Sequence, residues 1–203
     1  MSKGLYKPGD FRDNCGFGLI AHTDGVQSHD LLQTSIEALT RMTHRGGIAA
    51  DGKTGDGCGL LLQMPYRFMR QVGEDLAGRP LASDFAVGML FLDRKTKSQN
   101  TAKVAIEQIL VSRGLIVAGW RSVPVNPSSL GPIARANMPE FFQIFVEPCD
   151  QNNIEKFDRE LFMASRLIER RLQDNSENYL CSLSRRVISY KGLMMPSDLP
   201  HFY

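Results

Sequence analysis

Residues 46–59 read Gly-Gly-Ile-Ala-Ala-Asp-Gly-Lys-Thr-Gly-Asp-Gly-Cys-Gly, six glycines in fourteen positions. Glycine at that density marks a loop whose backbone takes conformations or close approaches that side chains forbid. Within it, Gly47 to Thr54 fits the phosphate-loop spacing G-x-x-x-x-G-K-[ST], a pattern that requires a strand before it and a helix after it, so that helix amides point at the phosphates. The flanks have the opposite order. Upstream, Ser28 is placed to cap a helix carrying Leu32, Ile36, Leu39 and Met42 at helical spacing, and Gly46-Gly47 stops it. Downstream, Gly59 to Gln63 reads as a strand, and Gly55, Gly57 and Gly59 would each cost a helix about 1 kcal/mol. A dinucleotide fingerprint fails as well, because Leu60 stands where its third glycine belongs. A P-loop-like nucleotide-binding module from Gly47 to Thr54 is the alternative reading.

Working outward, Cys15 to His22 (CGFGLIAH) is short, apolar and glycine-flanked, the signature of a buried strand. Beyond the loop the spacing predicts a helix from Pro65 to Leu76 and a buried strand from Phe85 to Leu92. A helix over Ser98 to Arg113 and a strand from Leu115 to Val123 follow. Pro124 to Pro139 is turn-rich, and Phe141 to Val146 is a further strand. Ile154, Phe157, Leu161, Ala164 and Ile168 share one face of a long helix ending near Gln173, and Tyr179 to Tyr190 reads as a hairpin. Strands and helices are mixed without a repeat, a low-complexity stretch or a linker, which gives one α+β or α/β layered unit. The final stretch, Gly192 to Tyr203, leaves Phe202 and Tyr203 with nothing following to cover them, as if a domain were cut there.

The chain has 203 residues, 24 Lys+Arg against 22 Asp+Glu, and a net charge of +2. That balance gives no single-sign field to attract nucleic acid or an anionic membrane. The longest mainly apolar run, Phe85 to Leu92, is far short of the roughly 20 residues that cross a bilayer. The first fourteen residues, MSKGLYKPGDFRDN, lack the apolar core of a signal peptide, so a cytoplasmic location is expected. Cys15, Cys58, Cys149 and Cys181 lie far apart with no metal-ligand spacing, which fits a reducing compartment and argues against zinc or an iron-sulfur cluster.

Each thiol is then a small buried hydrophobe or a nucleophile. Cys15 sits in Asn14-Cys15-Gly16-Phe17-Gly18, where small neighbours leave room for a substrate against the sulfur. None of His22, His29, His44 and His201 is obviously placed to activate it.

Four segments, in order, resemble the class II glutamine amidotransferase domain of glutamate synthase: Cys15-Gly-Phe-Gly-Leu-Ile-Ala; Arg41-Met-x-His44-Arg45-Gly46; Ala50-Asp-Gly-Lys-Thr-Gly-Asp-Gly57; and Cys181-Ser-Leu-Ser-Arg-Arg-x-Ile-x-Tyr190-Lys191-Gly192. The resemblance runs from about Arg12 to Tyr203, with Leu76 to Pro139 adding little. It implies an α+β, N-terminal-nucleophile hydrolase fold, a four-layer αββα sandwich, here incomplete at its C-terminus. Burial of Phe141, Phe145 and Phe157 would show how far such a sandwich closes. Residues 1–14 become a propeptide-like leader and 15–203 the amidotransferase part.

The resemblance also implies the chemistry. Cys15, freed at its α-amine by cleavage after Asn14, is the catalytic nucleophile, and Arg45 and Gly46 hold L-glutamine. The missing histidine then has an explanation: an α-amine with a pKa of about 7.7 to 8.0 can take the proton of its own thiol, whereas an amide cannot. Arg45 suits a carboxylate through its permanent charge and forked donors. Without the resemblance, Arg45 reads as a cation favoured at a helix end. Asp51 and Asp56 read as organisers of the loop, since short acids bond nearby amides. The family's oxyanion-hole Asn-Gly pair and further glutamine contacts lie beyond the Tyr-Lys-Gly segment, so a fragment with little or no glutaminase activity is expected. The expected partners are the remaining synthase domains or subunits, with no cofactor in this chain; flavin mononucleotide, an iron-sulfur cluster and a reductant serve other domains. An inactive remnant that docks on other subunits through an unfinished edge is a third reading.

Overall fold

The computed structural model describes residues 15–43 and 46–203. Helix α1 (His29–Arg41) begins at Ser28, whose hydroxyl accepts from the Leu31 N–H at 3.1 Å, as its sequence predicts. Strand β1 (Cys58–Gln63), helix α2 (Tyr66–Ala77), strand β2 (Ala86–Leu92), helix α3 (Thr96–Ser112) and strand β3 (Leu115–Ser122) follow. The turn-rich stretch holds a 3₁₀ turn, Pro127–Ser129, and a short helix α4, Pro132–Ala136. Strand β4 (Glu140–Pro148), helix α5 (Ile154–Leu172), strands β5 (Tyr179–Ser184) and β6 (Val187–Gly192) and helix α6 (Leu199–Phe202) complete the order.

The strands form two antiparallel sheets, one of four strands in the order β3-β4-β2-β5 and one of two, β1-β6. Strand β2 lies inside the larger sheet and carries Ala-Val-Gly-Met-Leu-Phe-Leu, apolar on both faces because both faces are covered. On one face, Leu90, Leu92, Phe142 and Ile144 pack against Ile106 and Leu110 of α3 and Phe157, Leu161 and Ile168 of α5. On the other, Val87, Met89, Phe141 and Phe145 pack with Ile188 of β6 and the inward side of β1, Cys58, Leu60 and Leu62. Phe141, Phe145 and Phe157 are all buried. Glu147 is the one carboxylate in this core among the described residues, and Arg79 and the Ala82 N–H bind it. Burial alone would raise its pKa, yet these donors hold it below the ordinary value.

Three expectations from the sequence fail. The Tyr179–Tyr190 segment is not a hairpin: β5 pairs with β2 and β6 with β1, so the chain turns a corner between sheets at Arg185-Arg186. The Cys15–His22 segment forms no strand, and it is exposed, with Phe17 94% and Leu19 90% accessible. A strand exists only through pairing, and neither sheet takes this segment as a neighbour. Phe202, read as left uncovered, is instead buried, edge-on to Phe141 at 5.3 Å. Among the described residues no helix is long and apolar enough to cross a membrane.

Candidate active site

The glycine-rich segment folds back on itself after α1. The Asp56 N–H donates to the Gly47 carbonyl at 3.2 Å, Ile48 and Gly55 form an antiparallel bridge, and the Ala49 N–H donates to the Thr54 carbonyl at 2.8 Å. Gly55 is required there by a close approach: a Cβ would stand 2.6 Å from the Met194 carbonyl oxygen, a backbone atom that cannot swing aside.

Two carboxylates hold this loop, as the sequence suggested. Asp51 Oδ1 accepts from the N–H groups of Lys53 and Thr54, an Asx-type turn; Oδ2 accepts from Thr54 Oγ1 at 2.6 Å and from the Ile133 N–H of α4 at 3.0 Å. Thr54 Oγ1 in turn accepts from the Ala134 N–H at 3.2 Å. The Thr54 hydroxyl, then the Thr54 and Ile133 amides, hold the Asp51 carboxyl far below the usual carboxylate range. At the other end, Asp56 Oδ2 accepts from the Gly47 N–H at 2.9 Å.

Cys15 is exposed and lies in a stretch without regular secondary structure. Gly46 is exposed, with its N–H donating to the Thr43 carbonyl at 3.1 Å. Arg45 lies outside the described residues, as does Asn14, after which cleavage is expected from the sequence. No hydrogen bond links Cys15 to Gly46 among the described residues. The phosphate-loop alternative finds no support: α1 precedes the loop and β1 follows it, and Lys53 Nζ is turned to the Ser128 carbonyl at 3.4 Å.

A cavity of about 540 Å³ adjoins the loop, lined by Asp56, Cys58, Phe91, Phe141, Lys191 and Met194 among others. Its thiol is a poor nucleophile, because burial, then the charges of Asp198 and Asp56, push Cys58 up to about 11. Burial likewise raises Cys181, while Cys149 is exposed. No cluster of His, Cys, Asp and Glu able to hold a metal is present among the described residues. Neither the cavity nor the Asp51–Ile133 tether was foreseen; partners 82 positions apart leave no local signal.

Comparison with known proteins fixes the family. The family described as glutamine amidotransferases class-II matches residues 15–203. The chain is 34% identical over its whole length to the large chain of a glutamate synthase [NADPH] from Bacillus subtilis (strain 168), of which it covers 13%. It is 38% identical over 95% of its length to ferredoxin-dependent glutamate synthase 1 of Arabidopsis thaliana, of which it covers 12%. A glutamate synthase [NADPH] large chain from Azospirillum brasilense is 36% identical over 98% of the chain, which again spans 13% of that relative. The chain belongs to the class II glutamine amidotransferases.

Proposed function

We propose that this domain is the glutaminase part of a glutamate synthase, with Cys15 as the nucleophile that attacks L-glutamine and the ammonia delivered to the other domains or subunits in glutamate biosynthesis; the chain on its own is expected to turn glutamine over little or not at all. The observation that carries the reading is the family match beginning at Cys15, joined to an exposed thiol at that position. The contrast with Cys58 and Cys181, whose thiols are held protonated by burial, supports the choice of sulfur.

In this reading the leader, residues 1–14, is removed and the freed α-amine takes the Cys15 proton. The thiolate attacks the side-chain amide carbon of glutamine, and the tetrahedral oxyanion collapses as the C–N bond breaks. The ammonium proton passes to the leaving nitrogen, releasing ammonia and a thioester. Water, deprotonated by the same amine, then attacks the thioester; glutamate leaves and the thiol is restored. Arg45 binds the substrate carboxylate and Gly46 presents its backbone to the ligand. The mature fold is the four-layer αββα sandwich, to which the two packed sheets and the α3–α5 layer described above would contribute.

The test is site-specific labelling of the chain beginning at Cys15 with a glutamine-mimicking electrophile. Modification confined to Cys15, prevented by L-glutamine and lost in Cys15→Ser, is expected; equal modification of Cys149, or indifference to glutamine, would refute the reading.

A further inference from the structure

We propose that Asp56 is a positioning residue for the glutamine-holding corner at Gly46–Gly47, setting affinity for glutamine without acting on the nucleophile. The inference rests on the reading of Cys15 and Gly46 given above. Asp56 grips that corner in three ways. Its Oδ2 accepts from the Gly47 N–H at 2.9 Å, and its own N–H donates to the Gly47 carbonyl at 3.2 Å, so both main-chain groups of Gly47 answer to one residue. Its carboxylate also lies against the backbone of the preceding residue: a Cβ on Gly46 would stand 2.7 Å from Oδ1. Any side chain at 46 therefore displaces the carboxylate that fixes 47, which gives a reason for glycine there beyond closeness to a ligand.

The far side of Asp56 is anchored. The Ile48–Gly55 bridge and the Ala49–Thr54 hydrogen bond continue the ladder, and Asp51 ties Thr54 to α4. The position of the Gly46–Gly47 corner is thereby referred to the body of the domain through Asp56. An ionised acceptor is suited to this task at an exposed site, because it outcompetes water for an amide better than a neutral one. Asp56 also lines the cavity beside the loop.

The measurement is alkylation of Cys15 by iodoacetamide in the chain beginning at Cys15, followed by mass spectrometry against rising L-glutamine, with melting temperature checked in parallel. Asp56→Ala is expected to raise the half-protecting glutamine concentration about tenfold, the effect of losing one hydrogen bond to a charged acceptor. The rate without glutamine should change less than about twofold, because the sulfur is untouched. Asp56→Asn, which retains an oxygen acceptor, should return to within about threefold of the parent. If Asp56→Ala does not fold, Asp56→Glu, whose carboxylate is displaced by one methylene, is read instead with the same expected rise. Parent-like protection in the folded Ala or Glu variant overturns the proposal. A parent chain that glutamine fails to protect overturns the reading of Cys15 instead.

Discussion

Thr54 Oγ1 gives its proton to Asp51 Oδ2 at 2.6 Å and takes one from the Ala134 N–H at 3.2 Å, so a single hydroxyl joins the glycine-rich loop to α4. Thr54 is buried, and removing either partner strands a polar group. Because the folded pKa of Asp51 is depressed, its contribution to stability is fully present above the unfolded value of about 4 and is lost as pH falls toward the folded one. Chemical denaturation of Asp51→Asn should show it less stable than the parent by a constant margin from pH 8 to 5, narrowing below pH 4. A margin that grows on acidification would contradict the tether.

Gly73 in α2 faces the core, where a Cβ would meet Leu81 Cδ1 at 2.6 Å and Phe145 Cδ1 at 2.8 Å. Helix propensity favours Ala over Gly by about 1 kcal/mol, whereas forcing a methyl into a filled core costs about 1–3 kcal/mol. Phe145, on β4, is fully buried and its ring must shift to admit the methyl, so the core term wins. Gly73→Ala should lower stability by about 1 kcal/mol, measured by urea denaturation.

The four thiols should separate by reactivity. Cys58, pushed up to about 11, has on the order of 10⁻³ to 10⁻⁴ of its population as thiolate near pH 7.5. Iodoacetamide at that pH should therefore reach Cys15 and Cys149 first, with Cys58 and Cys181 modified only after unfolding. Mass spectrometry of timed samples reads the order, and early modification of Cys58 would contradict its assignment as a spectator.

Most elements were legible because their signals are local. Ser28 before an apolar stripe, the continuous apolar run of β2, and the shared face of Phe157, Leu161 and Ile168 each name a structure within a dozen residues. Pairing was not legible. Tyr179–Tyr190 has the pattern of a hairpin, but Leu180 packs with the α3–α5 layer while Ile188 packs between the sheets, and only the global arrangement decides that. The short, apolar, glycine-flanked run Cys15–His22 carries the signature of a buried strand, but a strand needs a neighbour to pair with, and the segment lacks one here. In the site, Asp51 was legible as a turn residue through Asp-Gly-Lys-Thr, whereas its hold on Ile133 was not.

The account stands on the amine of Cys15 serving its own sulfur, and one comparison addresses it directly. Two forms of the chain, one beginning at Cys15 and one retaining Asn14 and the residues before it, would be treated with a glutamine-mimicking electrophile and the rate of Cys15 modification followed by mass spectrometry. A positioned general base contributes roughly 10²–10⁴ in rate, so the form beginning at Cys15 should react at least about a hundredfold faster. Equal rates in the two forms would contradict the account.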